Sequence, residues 1–223
     1  MRKDGGSARS RTLLLTAVTE LLDSAADTER ITITDVVASA GLTRPTFYAV
    51  FEDLPSAFAA SAIARLDSVF AGVDVIPDVD PEERPERMRE AFTEILERFT
   101  RHTDFFTRVL RGPGGPAVHE RIVEYVAARI RGSSPVARAL AAGSLPITVS
   151  SEAIAAGAVW TMTRWIDERP RPPVADIAVQ LRDYVEASVL GGLGGPVIHD
   201  VHGTQAGTPG GSASIHRLTG ARS

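Results

Sequence analysis

Apolar residues recur along most of this chain at the spacing of one helix face. Leu14, Ala17, Val18, Leu21 and Leu22 follow the i, i+3, i+4, i+7, i+8 rule. The same spacing gives Phe58, Ala62, Ile63, Leu66, Val69 and Phe70, and then Met88, Ala91, Phe92, Ile95, Leu96 and Phe99. A further stripe is Val174, Ile177, Ala178, Leu181, Val185 and Ser188. Period-two alternation is confined to Ile31-Thr32-Ile33-Thr34. The pattern predicts an all-α fold.

Breakers divide the stripes. Gly72, Pro77, Pro81 and Pro85 lie among acidic residues over 72–87 and read as a linker between an N-terminal unit of about 70 residues and a larger body. Residues 112–116 form a second stop. Residues 132–135 and 143–146 bracket one short helix, and 169–173 separate two long ones. From Gly191 the periodicity ends and glycine dominates, so 192–223 reads as a disordered tail.

Composition removes several functions. The 223 residues include no cysteine, which excludes disulfides, thiolate nucleophiles and cysteine-ligated zinc. No window approaches 18 consecutive apolar residues, so no membrane span is expected. The start, Met-Arg-Lys-Asp-Gly-Gly-Ser, lacks the apolar stretch of a secretory signal, which points to the cytoplasm. Lys3 is the only lysine, no Gly-x-Ser-x-Gly elbow occurs, and no His-Glu-x-x-His pair is present. His199 and His202 have only Asp200 nearby. No enzyme, cofactor or metal site is expected.

Residues 30–58 carry a mechanism. Thr32, with Asp35 three places on, suits the N-cap of a short helix, although a capping box ordinarily has Glu or Gln at that third position. Val36, Val37 and Ala40 are apolar, and the small Ala38 suits close approach of another helix. Gly41 supplies the left-handed conformation a tight turn needs. Thr43 caps a second helix with Pro45 in its first turn, where a missing amide costs nothing. Two short helices around such a turn are a helix-turn-helix, whose second helix lies in the DNA major groove. Arg44 stands near the groove-entering end, and arginine reads guanine O6/N7. Thr43, Thr46 and Tyr48 offer hydroxyls to phosphate. Phe47 and Phe51 should pack inward on the Leu14, Val18, Leu21 stripe.

The stretch from Arg11 to Phe58 resembles the DNA-binding domain of the tetracycline-repressor (TetR) family. The family's Thr-initiated helix ending Ile-Ala-x-x-Ala-Gly-Val-Ser corresponds to Thr32 and to Val37-Ala38-Ser39-Ala40-Gly41-Leu42-Thr43. Its Thr-Leu/Phe-Tyr-x-x-Phe corresponds to Thr46-Phe47-Tyr48-Ala49-Val50-Phe51. The resemblance implies a cytoplasmic homodimer on a palindromic double-stranded operator, usually a repressor. A fourth helix over 53–71 would connect the parts, and a small molecule in the helical body would change the spacing of the DNA-binding units. The last two long helices, over 150–168 and 174–190, would form the dimer interface. The domains would then be a three-helix helix-turn-helix unit (1–52), a connector with the effector-binding and dimerisation body (53–191), and the tail (192–223).

The DNA-binding set is Thr32, Thr34, Thr43, Arg44, Pro45, Thr46 and Tyr48, with Arg9 and Arg11 from an N-terminal arm. The sequence departs from the family at Val50, where His or Tyr often contacts phosphate, and at Asp53-Leu54, where Ser-Lys is usual. Net charge is −4 overall, and residues 1–60 carry six basic and eight acidic side chains, a net of −2. Yet residues 1–11 hold four bases against Asp4, so an arm could restore affinity. A helical dimeric interaction module that has lost DNA binding is the alternative these departures favour.

In the body, the stripes over 88–99 and 122–130, with Phe105, Phe106, Val109 and Leu110 between them, could enclose an apolar cavity for a hydrophobic or aromatic effector. Phe92, Phe99, Phe106, Tyr125, Trp160 and Trp165 are the expected contacts. His102, His119, Tyr125 and Thr161 are the candidate polar groups. Trp160, Met162 and Trp165 lie on a helix apolar on nearly all sides, which predicts deep burial. Ala153, Ala155, Ala156, Gly157 and Ala158 would let two helices approach closely across the dimer.

Overall fold

The computed structural model describes residues 3–24, 31–75, 79–80, 82–112, 114–132 and 134–189. Among the described residues there are ten helices and no strand. They are α1 (Lys3–Ser24), α2 (Ile33–Ala40), α3 (Arg44–Tyr48), α4 (Leu54–Phe70), α5 (Arg84–Thr100), α6 (Thr103–Arg111), α7 (Gly115–Gly132), α8 (Ser134–Ala141), α9 (Ile147–Asp167) and α10 (Val174–Ala187). The expected tail, 192–223, lies outside the described residues.

The first three helices form a unit around Leu14, Val18, Leu22, Val36, Phe47 and Phe51, all buried. Local chemistry sets its corners. The Thr32 amide donates to the Asp35 carboxylate (2.9 Å) and the Asp35 amide to the Thr32 hydroxyl (3.3 Å). This is a reciprocal capping box in which Asp replaces the usual Glu. Gly41 sits at φ 65°, and the Leu42 amide reaches back to the Val37 carbonyl (2.9 Å), closing α2. Thr43 caps α3, with Pro45 in its first turn. The Ile31–Thr34 alternation is therefore the entry to a helix, not a strand. Ala38 is exposed, so Val36 and Val37 make the close contact of α2 rather than the small residue.

Asp53 opens α4 with a second reciprocal box, accepting from the Ser56 amide (2.7 Å) while its own amide donates to the Ser56 hydroxyl (3.2 Å). From there α4 runs into the body, where α4 packs on α7, α7 on α9, and α5 on α10. The segment read as a linker is shorter than its prolines suggested: α5 already begins at Arg84, with Pro85 in its first turn. Gly157 permits the close pairing of α9 and α10. A Cβ there would stand 2.1 Å from the Tyr184 oxygen, and that hydroxyl donates to the Ala153 carbonyl (3.1 Å). Part of the small-residue stripe on α9 is thus used within the chain.

Arginines close several helix ends. Arg108 of α6 donates to the Leu22 (2.6 Å) and Asp23 (3.0 Å) carbonyls at the end of α1. Arg98 of α5 donates to Ala71 (2.6 Å) and Val69 (3.2 Å) at the end of α4. Arg169 (2.7 Å) and Arg171 (3.1 Å) donate to Ile166 near the end of α9. Each satisfies carbonyls that have no intrahelical partner.

Candidate nucleic-acid interface and internal cavity

The outer face of the N-terminal unit is built on α3. Phe47 is fully buried and Phe51 nearly so, their rings 5.7 Å apart, and this pair anchors the short helix from beneath. With the inner face fixed, Arg44, Pro45 and Tyr48 project outward, Tyr48 being 55% exposed with its ring edge-on to Phe47 at 5.6 Å. The hydroxyls of Thr43 and Thr46 lie 2.9 Å apart, and that of Thr43 also accepts from the Thr46 amide (3.4 Å). The Thr32 hydroxyl donates to Asp35 (2.6 Å), so its first role is local. These hydrogen bonds hold the Asp35 carboxyl below its ordinary value. Thr34 is exposed on the first turn of α2. Of the proposed set, Arg44, Pro45, Tyr48 and Thr34 are therefore presented to solvent, while Thr32, Thr43 and Thr46 also build the corners.

Arg9 and Arg11 do not belong to an irregular arm. α1 already begins at Lys3, and both side chains stand on its exposed surface. The Arg11 guanidinium lies 5.2 Å from the centre of the Phe51 ring, which ties it to the end of the helix-turn-helix. Residues 3–11 are thus helical rather than an extended segment.

The unit is clamped to the body at the end of α1. Arg65 of α4 makes a two-pronged ion pair with Asp23 (2.6 and 2.7 Å), and its guanidinium lies 4.0 Å from the Phe105 ring centre. The Thr19 and Ser61 hydroxyls meet at 2.7 Å. Hydrogen bonding to Arg65 lowers the Asp23 pKa, and partial burial together with the Arg65 charge lowers that of His102. None of Asp23, Arg65 and Arg108 belonged to the expected set; each lies off the apolar stripes, where an isolated charge reads as solvated surface.

Behind the clamp lies a partly open cavity of about 180 Å³ between α4, α5, α6, α7, α9 and α10. Phe92, Phe99 and Phe106 line it, and Phe99 and Phe106 stack with centres 4.4 Å apart and planes at 15°. Phe105 meets Phe106 edge-on at 5.3 Å, so one aromatic chain joins the cavity wall to the platform beneath Arg65. Asp74, Arg129 and Thr163 are the polar side chains on the lining. Thr163 already donates to the Val159 carbonyl (2.8 Å).

The other expected contacts are elsewhere. Trp160 is 64% exposed on the outer side of α9, contrary to the deep burial expected of it. Trp165 is buried, but its indole N–H donates to the Pro172 carbonyl (2.9 Å) and its ring lies under Arg171, so it fixes the turn into α10. Tyr125 turns its hydroxyl to Asp67 (2.6 Å), and burial with this bond pushes its pKa up to about 12. Thr161 donates to the Gly157 carbonyl (2.9 Å), and neither His102 nor His119 lines the cavity. The apolar periodicity located three wall residues but could not tell which side of α9 faces inward, because that helix is apolar around most of its circumference.

Among the described residues, no group of three or more histidines and carboxylates is placed to hold a metal ion. No helix among them is long and apolar enough to cross a membrane.

Comparison with known structures identifies the fold. A TetR transcriptional regulator from Rhodococcus sp. RHA1 superposes with a TM-score of 0.52 at 13% identity, over 80% of this chain and 96% of that one. A TetR transcriptional regulator from Streptococcus agalactiae 2603V (TM-score 0.47, 19% identity) covers 82% of this chain and 97% of its own. A tetR-family regulator from Streptomyces coelicolor (0.47, 20%) covers 78% and 80%. The Rhodococcus superposition carries the fold assignment, an N-terminal helix-turn-helix followed by a helical body. No protein-family model and no curated protein matches the sequence.

Proposed function

We propose that this chain is a DNA-binding transcriptional regulator, a repressor released from its operator by a small, largely apolar effector. The observation that carries the reading is the outer face of α3, where Arg44 and Tyr48 project from a helix pinned by buried Phe47. A helix held this way can enter the major groove, with Arg44 on a guanine edge and Tyr48 on phosphate. The cavity behind it supplies the effector site, and the clamp at Asp23 and Arg65 couples its wall to α1.

A palindromic operator requires two copies, and α9 offers a surface for the second. Val149 (47% exposed), Ala153, Ala156 and Trp160 recur at helical spacing on its solvent side. An exposed tryptophan on such a stripe suits burial against a partner helix. The homodimer forms through α9 and α10, and the protein works in the cytoplasm. Sedimentation is expected to give a dimer at micromolar concentration, reduced to monomer by Trp160→Glu.

The test of DNA binding is mobility shift with DNA flanking the chain's own gene. Specific retention is expected, weakened roughly tenfold or more by Arg44→Ala, since a good base contact contributes about 1–3 kcal/mol. Tyr48→Ala should weaken all sequences alike. Absence of retention at low salt would instead favour a dimeric interaction module without DNA binding.

A further inference from the structure

The size and lining of the cavity define its occupant more narrowly than "apolar". A cavity of about 150 Å³ lined by aliphatic and phenyl groups stays dry and accepts benzene. At about 180 Å³ the space here admits one ring with a short substituent, or a compact fused pair. Phe70, Phe92, Phe99 and Phe106 all reach it, and the stacked Phe99–Phe106 pair offers ring faces and edges. An aromatic guest can meet these in the offset and edge-to-face geometries that aromatic pairs prefer.

Two charged residues stand at the solvent-exposed rim of the lining. Arg129 reaches it from α7 with its guanidinium 4.7 Å from the centre of the Phe70 ring, and Asp74 reaches it from the segment after α4. An ionic head drawn into the pocket would exchange water for a nearly wholly apolar lining, which disfavours it strongly. A hydroxyl or carbonyl carries a much smaller desolvation cost and can hydrogen-bond at the polar rim.

Accepting the reading that this cavity is the effector site, we propose that its ligand is a neutral, compact aromatic molecule with a single hydroxyl or carbonyl group. Three probes of nearly equal shape test this on the full chain: 2-phenylethanol, phenylacetate and 2-phenylethylammonium. At millimolar concentration 2-phenylethanol should raise Tm by about 2 °C or more, and the two ions should leave it unchanged. Ala158→Phe, which places a phenyl ring on the cavity wall from α9, should abolish that rise. If this variant does not fold, Ala158→Leu should reduce the rise in the same direction. Stabilisation by either ion equal to that by the alcohol, or no stabilisation by any probe, overturns the proposal. So does a rise that survives filling of the cavity. Mobility shift in the presence of 2-phenylethanol separates the two layers. If the alcohol binds in the cavity while DNA retention is unchanged, the ligand class stands and the effector reading falls.

Discussion

The two halves of α4 lie against interiors of different kinds. Its first half buries Ala57, Phe58, Ala59, Ser61 and Ala62, and the Ser61 hydroxyl meets that of Thr19 on α1. Its second half presents Leu66, Val69 and Phe70 to the cavity. One helix thus joins a close-packed interior to one that keeps a void. A close-packed interior resists displacement, whereas a cavity wall leaves room for side chains to move. The reading of the body as the responsive part and of the N-terminal unit as a rigid body rests on that contrast.

The largest expected effect tests the contrast directly. Phe47→Ala removes a ring with no exposed surface from the N-terminal core and should cost about 3–5 kcal/mol, read as a fall in urea midpoint. Phe92→Ala removes a ring that already borders empty space, so fewer contacts are lost, and the cost should be roughly 1–2 kcal/mol lower. Equal losses would mean that the cavity wall is packed as tightly as the N-terminal core.

That contrast was only half legible in the sequence. Apolar periodicity marked the α1, α4, α5 and α10 stripes, because one-sided burial imposes the helical repeat on composition. The helix-turn-helix was legible because Thr32, Gly41, Thr43 and Pro45 act on the backbone within a few residues. Asp35 was a partial match to a capping box, and the structure completes it. What sequence could not supply was the rotation of α9. With apolar residues on most sides, nothing local distinguishes Trp160 facing solvent from Met162 facing the cavity. The clamp was hidden for another reason. Arg65 and Asp23 stand 42 positions apart, and a salt bridge between distant helices leaves no periodic trace.

A smaller effect probes the joint between the two regions. Arg65 is largely buried, its side chain 13% exposed, whereas Asp23 is 48% exposed, so solvent screens the pair in part. A double-mutant cycle of Arg65→Gln and Asp23→Asn should give a coupling of about 1 kcal/mol. If Arg65 acts as a joint, Arg65→Gln should also weaken DNA retention while leaving Tyr48 exposed as before. A coupling near zero would mean that Phe105 alone positions Arg65 and that α1 is held chiefly by Arg108.

The smallest expected effect is a pH dependence at the same joint. His102 faces Arg65, Asp23 and Arg101, and burial with the Arg65 charge lowers its pKa from the ordinary 6.5. A depressed histidine pKa means that the folded chain binds its proton less readily than the unfolded chain does. The contribution is therefore present above pH 6.5 and is lost as pH falls through the lower folded value. Asp23 has the same sign at more acid pH. Its lowered pKa gives stability that is full above 3.8 and declines below it, whereas the His102 loss already begins below 6.5. Tm should fall modestly from pH 7.5 to pH 5.5, and His102→Asn should flatten that fall while leaving the acid limb below pH 4 in place. Asp23→Asn should do the reverse. An unchanged slope in His102→Asn would show that the mild-acid response arises away from the clamp, and the N-terminal unit would then be joined to the body by packing and hydrogen bonds whose strength does not depend on that proton.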